Sequence, residues 1–154
     1  MSESNDVVTV ERVIPAPPEA IFDLIADPAR HHDIDGSGTV RDAKQGSARL
    51  AMGSTFGMSM KMGIPYSMNS TVIEFDENRR LAWQTRGPGI VGKVLGGRIW
   101  RYELEPVDGG TLVKESWDIT QESAITKPGV RAMAKETAKN MTATLARIEE
   151  LLTA

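Results

Sequence analysis

The stretch from Thr126 to Leu152, TKPGVRAMAKETAKNMTATLARIEELL, reads as one long amphipathic helix. Its apolar residues recur as Val130, Met133, Ala134, Met141, Leu145, Ile148 and Leu152 at three-or-four spacing, with Thr137 as the polar break. Pro128 falls in the first turn, where its missing N–H costs nothing. Arg131, Lys135, Lys139, Thr142, Arg147 and Glu150 form the opposite, water-facing side. Almost everything from Asp6 to Gln121 reads as strand and turn, so the helix must bury its stripe on a sheet.

Working outward, Val7 to Ile14 alternates as a strand, with Val8, Val10, Arg12 and Ile14 on one face. Pro15, Pro17 and Pro18 end it and open a short helix with Ala20, Ile21, Leu24 and Ile25 as its apolar stripe. Asp27-Pro28 stops that helix and starts a second short one, Ala29 to Ile34. Further strands are expected at 39–43, 55–62, 67–75, 80–85, 99–105 and 111–120, separated by turns such as Asp108-Gly109-Gly110. In 67–75 the more apolar face is Thr71, Ile73 and Phe75, which puts Asn69 on the same side.

The bulk numbers are those of an ordinary globular domain: 154 residues, 40% hydrophobic, 25% charged. One domain over 1–154 is expected, with a loose polar start at 1–5. A net charge of -3 offers no basic surface for nucleic acid. With no cysteine there is no thiol or disulfide chemistry, which suits a cytoplasmic protein. There is no signal-peptide profile and no apolar run of the ~20 residues that stable membrane insertion needs.

The order strand, two short helices, six strands and long helix is the helix-grip plan. Together with APPEAIFDLIADP at 16–28, it resembles the polyketide cyclase/dehydrase and lipid-transport family, a branch of the START-like, birch-pollen-allergen-like (SRPBCC) superfamily. Many relatives carry a Trp shortly after the Asp-Pro, where this chain reads ARHHDI at 29–34. The resemblance implies an α+β fold: a curved antiparallel seven-stranded sheet around the C-terminal helix, with a cavity between them for an apolar or aromatic ligand.

Phe56, Met58, Met60 and Met62 share one strand face, with Met133 and Met141 on the helix stripe. Methionine fills gaps in a core and equally suits a surface that accepts varied apolar shapes. Trp83, Trp100, Tyr102 and Trp117 come from successive strands and read either as core or as cavity lining. Glu115 is the sharpest residue, a carboxylate on a face otherwise made of Val113, Trp117 and Ile119. Burying it costs several kcal/mol unless it is paired, and Arg12 on the neighbouring strand is the expected partner. Ligand-lining candidates are therefore Phe56, Met58, Met60, Met62, Asn69, Thr71, Trp83, Trp100, Tyr102, Glu115, Trp117, Met133, Thr137 and Met141. Glu115, Tyr102 and Arg12, with Asn69, are the groups available for chemistry. The glycine-rich 87–97 segment carries Ile90, Val91, Val94 and Leu95 and reads as a gate or as an ordinary hairpin excursion.

No metal site is expected: His31 and His32 are adjacent and no second His cluster exists. No cofactor is expected, since the glycine-rich segment lacks the Gly-Lys-Ser/Thr of a phosphate loop. No serine sits in a nucleophile elbow. Two function classes remain. One is a carrier or sensor binding a hydrophobic or aromatic, lipid- or polyketide-like molecule, as a monomer or weak homodimer. The other is a cyclase/dehydratase-type enzyme using the same cavity.

Overall fold

In the computed structural model, residues 6–34, 40–43, 49–62, 64–87 and 96–153 are described, with their side chains except at 29, 32, 40–43, 58–62 and 64–67. The chain runs β1 Val7–Ile14, α1 Pro18–Ile25, a 3-10 turn Pro28–Arg30, α2 His31–Ile34, and the short β2 Val40–Ala43. Then come β3 Thr55–Met62, β4 Ile64–Asp76, β5 Arg80–Arg86, β6 Gly96–Val107, β7 Gly110–Asp118, α3 Lys127–Arg131 and α4 Ala134–Thr153. All pairings are antiparallel and form one open sheet in the order β1-β7-β6-β5-β4-β3-β2. The α+β architecture, with an antiparallel sheet and a C-terminal helix, is the one the patterning predicts.

Helix α1 starts where Pro17 and Pro18 preset the backbone, and it buries Ile21, Phe22, Leu24 and Ile25. Phe22 meets the Phe75 ring edge-on at 5.5 Å, which ties the helix to β4. From α4 the buried residues are Thr137, Met141, Thr144, Leu145 and Ile148. They are spaced to face the sheet once per turn.

Two expectations are corrected here. The C-terminal helix is not continuous: α3 ends at Arg131 and α4 begins at Ala134. Between them the Met133 N–H bonds the Val130 carbonyl, a tighter three-residue closure than α-helical bonding. That turn rotates Met133 off the stripe, so its side is 38% exposed and it does not line the interior.

The second correction concerns β4. Its register with β5 shifts between Val72 and Glu74, which leaves Ile73 as the extra residue of a β-bulge. The bulge changes the phase of alternation. Ser70 and Val72 lie buried before it, whereas Asn69 and Thr71 are exposed on the other face. Asn69 and Thr71 are therefore not lining residues. Strand β4 also begins earlier than the pattern predicts, with Pro65 inside it. Pro65 pairs with Lys61 of β3, and among the described residues pairing with β5 begins at Asn69, a setting in which the missing N–H is tolerated.

On the outer face, Glu74 and Arg101 flank Ala82 across the sheet and bond over it at 2.8 Å, leaving Ala82 fully buried. Arg80 reaches the same carboxylate at 2.6 Å. Hydrogen bonds from Arg101 hold the Glu74 carboxyl down, partial burial opposes them, and Arg80 adds to the effect, leaving it at about 2 against an ordinary 4.5. A carboxyl lowered in the folded state stabilises above its unfolded pKa, and that stability drains away as pH falls from about 4.5 to about 2. Because these side chains are partly exposed, the contribution is about 1 kcal/mol. Urea denaturation should show wild type more stable than Glu74→Gln by that margin at pH 6, with the gap closing near pH 2. A gap that persists unchanged at acid pH contradicts the assignment.

Candidate functional site

The face of the sheet turned to α4 is built by strict alternation. On β7 it presents Val113, Glu115 and Trp117; opposite them on β6 stand Leu104, Tyr102 and Trp100. On β1 the same rungs carry Arg12, Val10 and Val8. The face continues through Leu81 and Trp83 on β5, which pair with Tyr102 and Trp100, and through Val72 and Ser70 on β4 to Phe56 on β3.

Aromatic rings run across these strands. Trp83 lies 5.8 Å from Tyr102 and 5.6 Å from Phe56, ring centre to ring centre, the latter edge to face. His31, the first residue of α2, stacks on Trp83 at 5.1 Å with planes 20° apart, and its Nε2 lies 2.8 Å from the Ile25 carbonyl oxygen. Trp100 and Trp117 form a second, tilted pair at 6.4 Å.

Among the described residues the buried apolar side chains gather in two clusters. One cluster gathers Leu81, Tyr102, Leu104, Val113, Leu145 and Ile148 with α1. Another holds Trp117, Ile119, Val130 and Met141, with Trp100 against it. Val10 touches both. Glu115 lies opposite Val10 and between Val113 and Trp117, at the seam of the two clusters, and is only 3% exposed. The buried residues Thr137 and Thr144 come from the facing helix.

The expected Arg12–Glu115 pair does not form. Both residues belong to one face, but Arg12 stands opposite Val113 and Glu115 opposite Val10, one rung apart on that face, roughly 7 Å. From that rung Arg12 reaches the rim and donates to Glu149 of α4 at 2.7 Å. Of the other candidates, Phe56, Tyr102, Trp117, Thr137 and Met141 are buried, and Trp83 and Trp100 are half-buried. The side chains of Met58, Met60 and Met62, and the proposed gate residues Ile90, Val91, Val94 and Leu95, lie outside the described residues.

Several buried polar groups were not singled out from sequence. His31 is 8% exposed and packed among the rings of Phe56 and Trp83. Ser70 and Thr85 share a 2.9 Å hydrogen bond on the inner face. Glu122, whose side chain is wholly buried, accepts from Arg98 at 3.0 Å and from the Thr126 hydroxyl. Only His31 had a signal, its place just after the Asp-Pro stop.

Among the described residues no group of three or more acidic or histidine side chains is arranged to hold a metal ion. None of the helices described is long and apolar enough to cross a membrane. A surface pocket of about 290 Å³ mixes Arg79, Arg80 and Lys114 with Asp76, Glu103 and Glu105, and with Leu104 and Leu112.

An antiparallel sheet holding a C-terminal helix over an aromatic inner face, with two short helices after the first strand, defines the helix-grip class. Residues 6–153 match the family model described as polyketide cyclase/dehydrase and lipid transport, and the chain belongs to that family. It is 35% identical, over a 144-residue alignment covering 89% of this chain, to the uncharacterized protein Rv0088 of Mycobacterium tuberculosis, and spans 60% of that relative. Among solved structures, protein CV1439 of Chromobacterium violaceum superposes with a TM-score of 0.71 at 15% identity, covering 98% of this chain and 99% of that one. DynU16, from the dynemicin biosynthetic locus, gives 0.66 at 14% identity over 96% of this chain and 47% of its own. At these identities the likeness is one of fold.

Proposed function

We propose that the protein binds a hydrophobic or aromatic small molecule, lipid- or polyketide-like, between the inner face of the sheet and α4, as a carrier or sensor. The observation that carries this reading is the divided interior, with Glu115 at the seam between two apolar clusters. A binding site gains orientation from one polar group among apolar walls. The aromatic candidates Phe56, Trp83, Trp100, Tyr102 and Trp117, with Met141 and Thr137, then serve as walls. In this reading the protein works in the cytoplasm, as a monomer or weak homodimer.

The second reading is a cyclase/dehydratase. It is favoured by Tyr102 standing directly across from Glu115, which puts a phenol and a carboxyl on adjacent strands. Such an enzyme works mainly by holding a reactive chain in one shape. Binding takes precedence because it needs only the walls and the anchor.

Native mass spectrometry of protein purified from its own host tests the proposal. An apolar molecule should co-purify at one per chain and leave on mild activation. A bare chain mass, together with unchanged Trp fluorescence on titration with anilinonaphthalene sulfonate, would sink it. Turnover of a candidate polyketide that is lost in Glu115→Gln while binding persists would move the conclusion to the enzyme.

A further inference from the structure

Strand β1 lies at one end of the sheet, and the Ile119 N–H on the Asp6 carbonyl fixes the phase of its ladder with β7. By alternation Val8, Val10, Arg12 and Ile14 turn their backbone groups to β7, while Val7, Thr9, Glu11 and Val13 turn theirs to the open side. Among the described residues no hydrogen bond reaches those four from that side. All four residues are exposed, Val7 at 40% and Val13 at 51%. Sheet edges are ordinarily blunted by shortness, a bulge, a proline or a lysine. The opposite edge, β2, is four residues long with a register shift between Val40 and Asp42. Strand β1 instead runs eight residues in unbroken register with β7 and holds neither proline nor lysine. We propose that β1 pairs antiparallel with β1 of a second copy of this chain, across a two-fold axis at Val10, joining two sheets into one. This gives the homodimer of the reading above its surface, and it does not depend on what lies between the sheet and α4.

The residues of the strand select this register. An axis at Val10 sets Val7 against the partner's Val13 and Thr9 against the partner's Glu11, each twice by symmetry. All four outward residues then exchange ladder bonds, and the two exposed valines cover one another. An axis at Glu11 sets that acid against its own copy and brings Pro15, which has no N–H, against Val7. An axis at Thr9 leaves Val13 beyond the start of the partner strand. With the axis at Val10, each Glu11 keeps Lys114 of its own β7 directly opposite, so its charge has a neighbour of the other sign. Arg12, on the inner side, is tied to Glu149 of its own α4 at 2.7 Å. The match of the strand to its own reverse favours a copy of this chain over an extended segment of another protein. A single strand pair buries little surface, so the dissociation constant is on the order of tens of micromolar.

Sedimentation velocity of the purified chain from about 1 to about 500 µM tests this. Wild type should pass from monomer to dimer within that range. Glu11→Pro removes an outward N–H and no bond to β7, and Val13→Lys places a charge at an exposed valine. Each should weaken the dimer by about tenfold or more, with far-UV circular dichroism unchanged. Because the chain has no cysteine, single-cysteine variants read the register directly. In Val10→Cys the two copies meet at the axis with Cα atoms about 4.5 Å apart, so a disulfide-linked dimer should form under mild oxidation. In Thr9→Cys the copies lie on a diagonal of about 7–8 Å, and crosslinking should be at least about fivefold slower. A chain that stays monomeric throughout overturns the proposal, as does a dimer untouched by both Glu11→Pro and Val13→Lys. Crosslinking as fast through Thr9→Cys as through Val10→Cys overturns it too. None of these results bears on co-purification of an apolar molecule, so the binding reading stands or falls separately.

Discussion

Gly110→Ala is expected to lower the stability of the fold by about 4 kcal/mol and the melting temperature by on the order of 10 °C. Gly110 opens β7 at φ 151°, and a Cβ built there would lie 2.0 Å from the Ile14 carbonyl oxygen and 2.8 Å from Pro15 Cα. No real side chain tolerates that approach, and both neighbouring atoms are backbone, so no rotamer change relieves it. The end of β1 would have to move, and with it the Thr111 hydroxyl bond to the Ala16 carbonyl at 2.8 Å. Gly109, beside it in the same turn at φ 88°, has open space around its added Cβ, so Gly109→Ala carries only the backbone penalty of about 1 kcal/mol. Thermal denaturation of the two variants side by side separates collision from conformation. Equal melting temperatures would show that the β1–α1 corner yields more easily than its packing implies.

Glu122→Leu is expected to cost about 3 kcal/mol. The Glu122 side chain is fully buried and receives Arg98 through both carboxylate oxygens, at 3.3 and 3.0 Å, as well as the Thr126 hydroxyl. Removing the acid leaves a guanidinium that is 22% exposed without its counter-charge. The same segment is stitched to β6 by the Ser123 N–H on the Gly96 carbonyl at 2.7 Å, and the Gln84 side chain secures Gly97. Loss of the pair therefore loosens the entry to α3 before the rest of the fold. Urea denaturation of Glu122→Leu, and of the double variant Arg98→Met/Glu122→Leu, tests this. The double variant should recover at least half of the loss, because the deficit lies in the stranded charge rather than in the missing attraction. Full additivity of the two substitutions would contradict that account.

Local signals carried much of the fold. Strand β3 is found at Thr55–Met62, where alternation alone places it, and α1 lies between the Pro17-Pro18 start and the Asp27-Pro28 stop. Glu115 is legible as an inward acid because its neighbours on the strand face, Val113 and Trp117, are apolar, and both are buried. What failed was longer in range. Alternation reports which face a residue is on but not its rung, so Arg12 was matched to Glu115 when it stands opposite Val113. The extra residue at Ile73 leaves no mark in composition, and Asn69 and Thr71 were turned inward as a result. Ala132 and Met133 are good helix formers, and only the turn's hydrogen bond shows where the C-terminal stretch divides. The stacking of His31 on Trp83 joins two distant segments through tertiary packing, which no local pattern announces.

Among the described residues strand β1 pairs with β7 alone, its Arg12 also clasps α4 at Glu149, and Asp6 holds Arg131 at 2.8 Å. The first strand must therefore wait until β7, Gly110–Asp118, has been made before it can take up this pairing. During synthesis it leaves the ribosome as a valine-rich edge with no mate, and the β2–β7 meander can order ahead of it. Docking of the first strand therefore follows the making of β7, and α4 then fastens it through Arg12 and Glu149.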